Sequence, residues 1–161
     1  MSAMDEKTLE KMLEITERFF RTANDPNQMP ISKKSFCKLL ELHPKTVIYK
    51  IENGEPISWV VVLPTSDELA EKFLKGEINE RELLDMTQPQ EQYEALYLCA
   101  AFTVPEHRRR GYVIRMLEEA IDSIPHTANV KLFSWPYSKE GRLVVEKLSK
   151  VMGVDILLKE N

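Results

Sequence analysis

The feature that most constrains the fold is the stretch over residues 95–124, in which an apolar run is followed by a basic loop and an amphipathic segment. The apolar run ends at Pro105, which cannot donate to a strand ladder. Three arginines and a glycine follow at positions 108–111, and from Tyr112 onward apolar residues recur with helical spacing. The pattern predicts a strand, a tight loop and a helix that begins at Tyr112 and ends near Ile124.

This loop has the chemistry of an anion site. The first backbone N–H groups of a helix have no partners within the helix, and the helix dipole makes that end positive. Phosphate groups bind readily there, and Gly111, which has no Cβ, lets the backbone approach a ligand closely. Arg109 and Arg110 add charge suited to a phosphate or pyrophosphate. Two alternatives are a solvated basic turn and a small α/β domain that binds another phosphate ligand.

The motif resembles the acyl-CoA signature of the GNAT N-acyltransferase superfamily, Arg/Gln-x-x-Gly-x-Gly/Ala, which a proline often precedes. Arg108, Gly111 and Pro105 match this signature, whereas Val113 stands where the family usually has Gly or Ala. The resemblance covers the second half of the chain well and the first half by element order. It implies an α/β (α+β) fold with a mixed, mostly antiparallel central sheet flanked by helices, whose splayed central strands form an acyl-CoA wedge.

The resemblance also implies where the acyl donor, acetyl-CoA, binds. Its pyrophosphate is expected on the loop and its pantetheine arm along the backbone of the central strand, where a backbone N–H would hold the developing oxyanion. The expected cofactor-binding residues are Phe102, Thr103, Val104, Arg108, Arg109, Arg110, Gly111, Tyr112 and Val113. No metal is expected.

Length and composition predict a single domain over 1–161 with its own core. The net charge of −4 disfavours binding to nucleic acid, since basic residues cluster only in the loop. No apolar run approaches the length of a membrane span, and the first residues lack the pattern of a secretory signal. Cys37 and Cys99 predict no disulfide framework, which fits a cytoplasmic protein. The three histidines have no metal-ligand spacing, and a homodimer is compatible with the sequence.

The remaining elements follow from local patterns. Residues from about 66 to 90 predict a helical insertion whose side chains are mostly acidic, either a solvated flap or a lid that binds a cationic acceptor such as an amine. The other expected elements are a helix from Asp5 to about Thr22, a helix capped by Ser32, strands over 46–51 and 57–63 joined by Asn53-Gly54, a strand over 130–135 after a turn at 125–127, a helix over 139–152 and a strand over 154–158.

Transfer of an acyl group from a thioester to an amine needs a base for the ammonium. Some members of the superfamily carry a glutamate on the central strand, but the comparable position here is Tyr97. Strand alternation predicts that Tyr97 shares a face with Cys99, Ala101 and Thr103. Glu94, just before the strand, is the first candidate for the base, acting through water; the structural alternative is a surface carboxylate. Tyr97 is the second candidate, and the structural alternative is a half-buried aromatic residue of the strand.

The leaving thiolate benefits from an acid. Many members of the superfamily use a tyrosine on the last helix, where this chain has Ser149, so Tyr137 is the candidate acid instead. The sequence thus predicts an acetyl-CoA-dependent N-acetyltransferase that acts by direct attack of an amine of a small molecule or peptide. The alternative, which Val113 and Ser149 favour, is a GNAT-like acyl-CoA-binding or interaction domain without transferase activity.

Overall fold

A five-stranded sheet organises the part of the chain that the computed structural model describes, residues 5–19, 29, 32–136 and 138–160. Its β1–β2 and β2–β3 pairs are antiparallel, and its β3–β4 and β4–β5 pairs are parallel. The predicted mixed, mostly antiparallel sheet is confirmed, because the antiparallel ladders are the longer ones. The strands, whose spatial order equals their chain order, are β1 (Val47–Glu52), β2 (Glu55–Thr65), β3 (Tyr93–Thr103), β4 (His126–Ser134) and β5 (Ile156–Leu158).

Six α-helices surround the sheet within the described residues. The predicted cap at Ser32 is confirmed, and Ser66 and Ser138 cap helices in the same way, because each side chain accepts a hydrogen bond from the first turn of the following helix. The predicted end of the first helix near Thr22 lies outside the described residues, as does Tyr137. The helices are α1 (Glu6–Phe19), α2 (Lys33–Leu42), α3 (Asp67–Leu74), α4 (Glu80–Met86), α5 (Tyr112–Ser123) and α6 (Lys139–Met152).

The two crossovers place α5 and α6 side by side. Both β3–α5–β4 and β4–α6–β5 join parallel neighbours and step in the same direction along the sheet, so right-handed connections bring both helices to one face. On the opposite face Phe73 of α3 packs on Tyr97 and Phe133, with ring centroids 4.9 and 5.9 Å apart. Strand β2 is covered on both sides and is almost entirely buried.

Two strand boundaries differ from the prediction for reasons of pairing. The expected turn at 125–127 is wrong at His126, which begins β4 because it pairs with Tyr93 of β3. Strand β2 continues through Pro64, beyond the expected end at 63. Strand β1 pairs with β2 only as far as Val61, so β1 offers no hydrogen-bond partner at Pro64. The lack of an N–H at Pro64 therefore removes no hydrogen bond from the β1–β2 ladder.

Candidate functional site

Strands β3 and β4 separate part of the way along the sheet. Their pairing ends at Leu98 and Ser134, where the Ser134 hydroxyl donates to the Leu98 carbonyl at 3.2 Å. Beyond this point β3 continues through residues 99–103 without β4, and most side chains of that segment become partly or fully exposed. The expected splay of the central strands is therefore present, and we call the opening between residues 99–103 and the end of β4 the wedge.

A β-bulge stands where the wedge begins. Val62 pairs with Leu98 and Val61 pairs with Ala100, so Cys99 is the extra residue in β3. The bulge reverses the alternation of side chains along the strand. The prediction that Tyr97, Ala101 and Thr103 share a face is consequently wrong.

The register on β2 gives the actual faces. Leu63 and Trp59, which lie on one face of β2, are opposite Tyr97 and Phe102, so Tyr97 shares its face with Phe102. The rings of Trp59 and Phe102, 4.9 Å apart, pack on that face. Ala101 lies on the other face, which is the face that α5 covers.

The wedge exposes a strip of backbone hydrogen-bonding groups. The Val104 N–H donates to Ile57 O at 2.8 Å, and antiparallel pairs alternate between hydrogen-bonded and non-hydrogen-bonded. Ala101 and Thr103 therefore direct their backbone groups away from β2 and into the wedge. Among the expected backbone positions 102–104, Thr103 has this orientation; Ala101, which sequence reasoning missed, shares it.

The basic loop follows directly at the end of β3. Arg109 and Gly111 both have left-handed backbone, with φ of +68° and +76°. An arginine in that region is strained, and such strain is concentrated at ligand sites. Gly111 is the N-terminal cap residue of α5, and no side chain caps this helix end. The N–H groups of the first turn therefore point out of the loop together with the positive end of the helix dipole.

Five cations gather around this helix end. Arg108 Nε donates to Thr103 O at 3.0 Å, which lays its guanidinium against the edge of β3. Lys50 and Arg115 lie over the ring of Tyr112, at 5.0 and 5.6 Å from its centroid. Within the described residues, these three groups and the exposed Arg109 and Arg110 form no ion pair with a carboxylate. In a chain of net charge −4, this cluster at a helix N-terminus supplies the positive charge and the N–H donors that binding of a polyanion requires.

The remaining loop residues fit this geometry. Arg110 Nη1 lies 3.1 Å from Nδ1 of His107, which orders the side chain at the tip of the loop. Val113 is half-buried and packs against the hydrophobic core. Part of its β-branched side chain therefore lies against the core.

Glu94 lies at the other end of β3 from the basic loop. It is the second residue of the strand, is exposed, and its Oε1 accepts a hydrogen bond from Asp67 N at 3.1 Å. That bond satisfies a backbone N–H in the first turn of α3.

Tyr97 is fully buried next to the base of the wedge, one residue before the last β3–β4 pair. Its hydroxyl donates to Glu80 Oε2 at 2.5 Å, and Glu80 Oε1 accepts from Met29 N at 2.6 Å. Glu80 is only 2% exposed. A carboxylate therefore does lie behind the central strand, supplied by α4 and not by the strand itself.

The sequence contains one local signal for Glu80. Glu80, Leu83, Leu84 and Thr87 recur at three- and four-residue steps, and all four are buried. Among many acidic residues of the insertion this spacing marks the one that faces inward. Its partner Tyr97 lies 17 residues away, however, so no local pattern predicts the contact.

Cys99 stands at the bulge. Burial, with the nearby Glu80 as a second cause, raises the pKa of its thiol well above the ordinary value. A thiol held protonated is a poor nucleophile. Among the described residues no group of three or more His, Cys, Asp or Glu side chains could hold a metal ion. No helix in the described ranges is both long and apolar enough to cross a membrane.

Comparison with known proteins adds little at the sequence level. No model of a protein family matches the chain, and no curated protein matches it. Among solved structures, the chain is similar to a polyamine N-acetyltransferase of Drosophila melanogaster that catalyses the formation of N-acetylagmatine. The TM-score is 0.42 and the identity 17%, over 74% of this chain and 67% of that protein.

Proposed function

We propose that this protein is an acetyl-CoA-dependent N-acetyltransferase that acts on an amine of a small molecule or peptide. One observation supports the proposal most strongly: the open backbone edge of β3 leads directly to an unpaired basic cluster at the N-terminus of α5. An extended, amide-containing chain that ends in a pyrophosphate matches both parts. The backbone edge offers hydrogen bonds to amides, and the helix end offers N–H groups and positive charge.

The residues of the site divide between these two tasks. Arg109, Arg110 and the N–H groups of Gly111 to Val113 would hold the pyrophosphate. The backbone groups of Ala101 and Thr103 would pair with the pantetheine amides, whereas the backbone groups of Phe102 and Val104 are directed to β2. Arg108, already bonded to Thr103 O, would neutralise charge where the two parts meet.

The chemistry of the proposal is direct attack. The amine nitrogen forms a bond to the carbonyl carbon, the carbon–sulfur bond breaks, and the proton from the ammonium leaves to a base. A backbone N–H in the wedge would stabilise the developing oxyanion. The departing thiolate takes up a proton from solvent or from Tyr137, the acid that sequence reasoning proposes.

Two routes for the ammonium proton are proposed. In the first, the proton passes through water to Glu94. In the second, the Tyr97 hydroxyl gives its proton to Glu80 and receives one from the amine side, so that charge and protons balance. The Tyr97 hydroxyl, which is buried, donates directly to Glu80, and Glu94 Oε1 accepts from Asp67 N. Tyr97→Phe and Glu94→Gln test the two routes through the pH dependence of kcat.

Thermal melting with acetyl-CoA, coenzyme A and ATP tests the cofactor site. A ligand at a hundred times its Kd stabilises the native protein by about 2.7 kcal/mol, which raises the Tm of a domain of this size by roughly 5–10 °C. We expect that shift with acetyl-CoA and coenzyme A and little shift with ATP. In Arg110→Glu the shift should be lost while the Tm without ligand is kept, because the side chain is exposed.

Lys150→Glu is the matched control, since it makes the same change of charge on an exposed residue at the C-terminal end of α6. It should keep the full shift. If Arg110→Glu binds coenzyme A as the parent does, the loop is not the pyrophosphate site. Acetyl-CoA binding without transfer to any amine would favour the alternative, an acyl-CoA-binding or interaction domain. The contact of Ser149 supports that alternative. Its hydroxyl donates to Val154 O at 2.5 Å and so stabilises the C-terminal end of α6.

A further inference from the structure

A cavity of about 360 Å³ lies beside the wedge, between the α3–α4 connection and the end of β4. Its walls combine two aromatic rings, Phe73 and Trp135, with two carboxylates, Glu77 and Glu82. Trp135 directly follows Ser134, the last residue of β4 that pairs with β3. One wall of the cavity is therefore formed by the residue that follows the point where the central strands separate.

An ammonium group of the protein itself already contacts both rings. Lys159 Nζ lies 4.6 Å from the centroid of Trp135 and 5.7 Å from that of Phe73, which are cation–π distances. The Lys159 backbone is fixed, because its N–H donates to Ser134 O at 2.9 Å. The side chain that follows is a flexible four-carbon stem that can swing away without disturbing this bond.

The charges of the cavity are not balanced by this lysine. Glu77 and Glu82 are both exposed, and within the described residues neither forms an ion pair with Lys159 or with another cation. Glu82 Oε1 accepts from Asn79 N at 3.0 Å, which fixes its carboxylate at the start of α4. The cavity lining carries two carboxylates and one ammonium, with Lys75 near enough to Glu77 for their charges to interact, and displacement of Lys159 would make the lining more negative.

We propose that this cavity anchors a cationic group of the acceptor, and that Lys159 holds the place of that group until an acceptor displaces it. The inference rests on the proposed function and names its substrate class: aliphatic amines with a second cationic group. The reacting nitrogen must lose its proton at the wedge, whereas the anchoring group stays charged between the rings and the carboxylates. The volume lies at the lower end of the range for small-molecule sites, which fits an alkylammonium arm.

Binding without any acyl donor tests the proposal, so that its outcome does not depend on the cofactor site. Trp135 lines the cavity and reports on it by fluorescence, whereas the other tryptophan, Trp59, is only 2% exposed. The probes are 1,4-diaminobutane, butylamine and the neutral 1-butanol, at constant ionic strength. We expect saturable fluorescence changes with 1,4-diaminobutane, weaker binding of butylamine, and no saturation with 1-butanol.

Variants then locate the site. Lys159→Met removes the internal cation and should tighten binding of 1,4-diaminobutane by about threefold or more, the scale of one exposed cation–π contact. Glu77→Gln should weaken it by a similar factor. Lys150→Met is the matched control for the loss of an exposed lysine and should change nothing.

Two results would overturn the proposal. One is no saturable binding of 1,4-diaminobutane to the parent or to Lys159→Met. The other is binding that is equal in the parent, Lys159→Met and Glu77→Gln, since the diamine would then occupy another place. Either result can coexist with a normal melting shift by coenzyme A, so a failure here is distinct from a failure of the proposed function.

Discussion

Two buried tyrosines on β3 differ mainly in what their hydroxyl groups contact. Tyr97 donates to a carboxylate oxygen of Glu80 at 2.5 Å, and Tyr93 donates to the Leu42 carbonyl at 2.7 Å. Both side chains are at most 1% exposed. Replacing either by phenylalanine keeps the ring, so the packing of Phe73 on Tyr97 should survive. The pair therefore compares a hydroxyl that donates to a carboxyl group with one that donates to a backbone carbonyl and also accepts from Gln90 N at 3.3 Å.

The expected magnitudes follow from the acceptors. A hydrogen bond to a neutral group contributes about 0.5–1.5 kcal/mol to stability, and one to a charged group about 1.5–3 kcal/mol. Glu80 accepts one hydrogen bond on each oxygen, from Tyr97 and from Met29 N, and an ionised Glu80 places the Tyr97 hydrogen bond in the stronger class. Because Tyr93→Phe also removes the long hydrogen bond from Gln90 N, we expect Tyr97→Phe to lower the free energy of unfolding by roughly 1 kcal/mol more than Tyr93→Phe does.

Urea unfolding of the two variants and the parent measures this difference, provided that the slope against urea stays constant. A double-mutant cycle with Glu80→Gln then isolates the contact. Directly bonded partners in a buried network should couple by about 1 kcal/mol or more. The reasoning is refuted if Tyr97→Phe costs no more than Tyr93→Phe, or if the Tyr97→Phe and Glu80→Gln effects simply add.

Three further changes test other parts of the fold. Gly111→Ala should cost about 1–2 kcal/mol in urea unfolding, because φ is +76° there, and a cost near zero would contradict the left-handed loop. Ser134→Ala removes the buried bond to Leu98 O and should cost about 1 kcal/mol; an unchanged urea midpoint would contradict the bond. Burial lowers the pKa of His43 below the ordinary value of 6.5, and the nearby charge of Lys45 lowers this pKa further. His43 therefore binds a proton more readily in the unfolded chain than in the folded protein. The free energy of unfolding should have its full value above about pH 6.5 and decrease below that pH. It should decrease less in His43→Asn, which keeps an acceptor for Lys45 N. Equal decreases in the parent and the variant would exclude His43 as the cause.

The sequence predicts this fold well where the signals are local. The serine caps, the Asn-Gly hairpin and the strand–loop–helix at Pro105 each depend on a few neighbouring residues, and the structure has all of them. Strand pairing and long-range side-chain contacts, in contrast, depend on residues that are far apart in the chain. The recruitment of His126 into β4 depends on Tyr93, which is 33 positions earlier in the chain. The contact between Glu80 and Tyr97 likewise exists only after α4 has packed on the sheet.

The bulge at Cys99 is the non-local feature with the largest consequence for the site. With uninterrupted pairing from Leu63 and Tyr97 onward, Ala101 would lie opposite Trp59 and direct its N–H and C=O to β2. The backbone N–H and C=O of Phe102 would then point into the wedge, and the Phe102 ring would no longer pack on Trp59. The extra residue instead keeps the Phe102 ring in the core and turns the backbone of Ala101, with its small side chain, toward the opening. A strand whose open edge must accept an extended ligand benefits from that exchange, because a methyl group obstructs the wedge far less than a phenyl ring does.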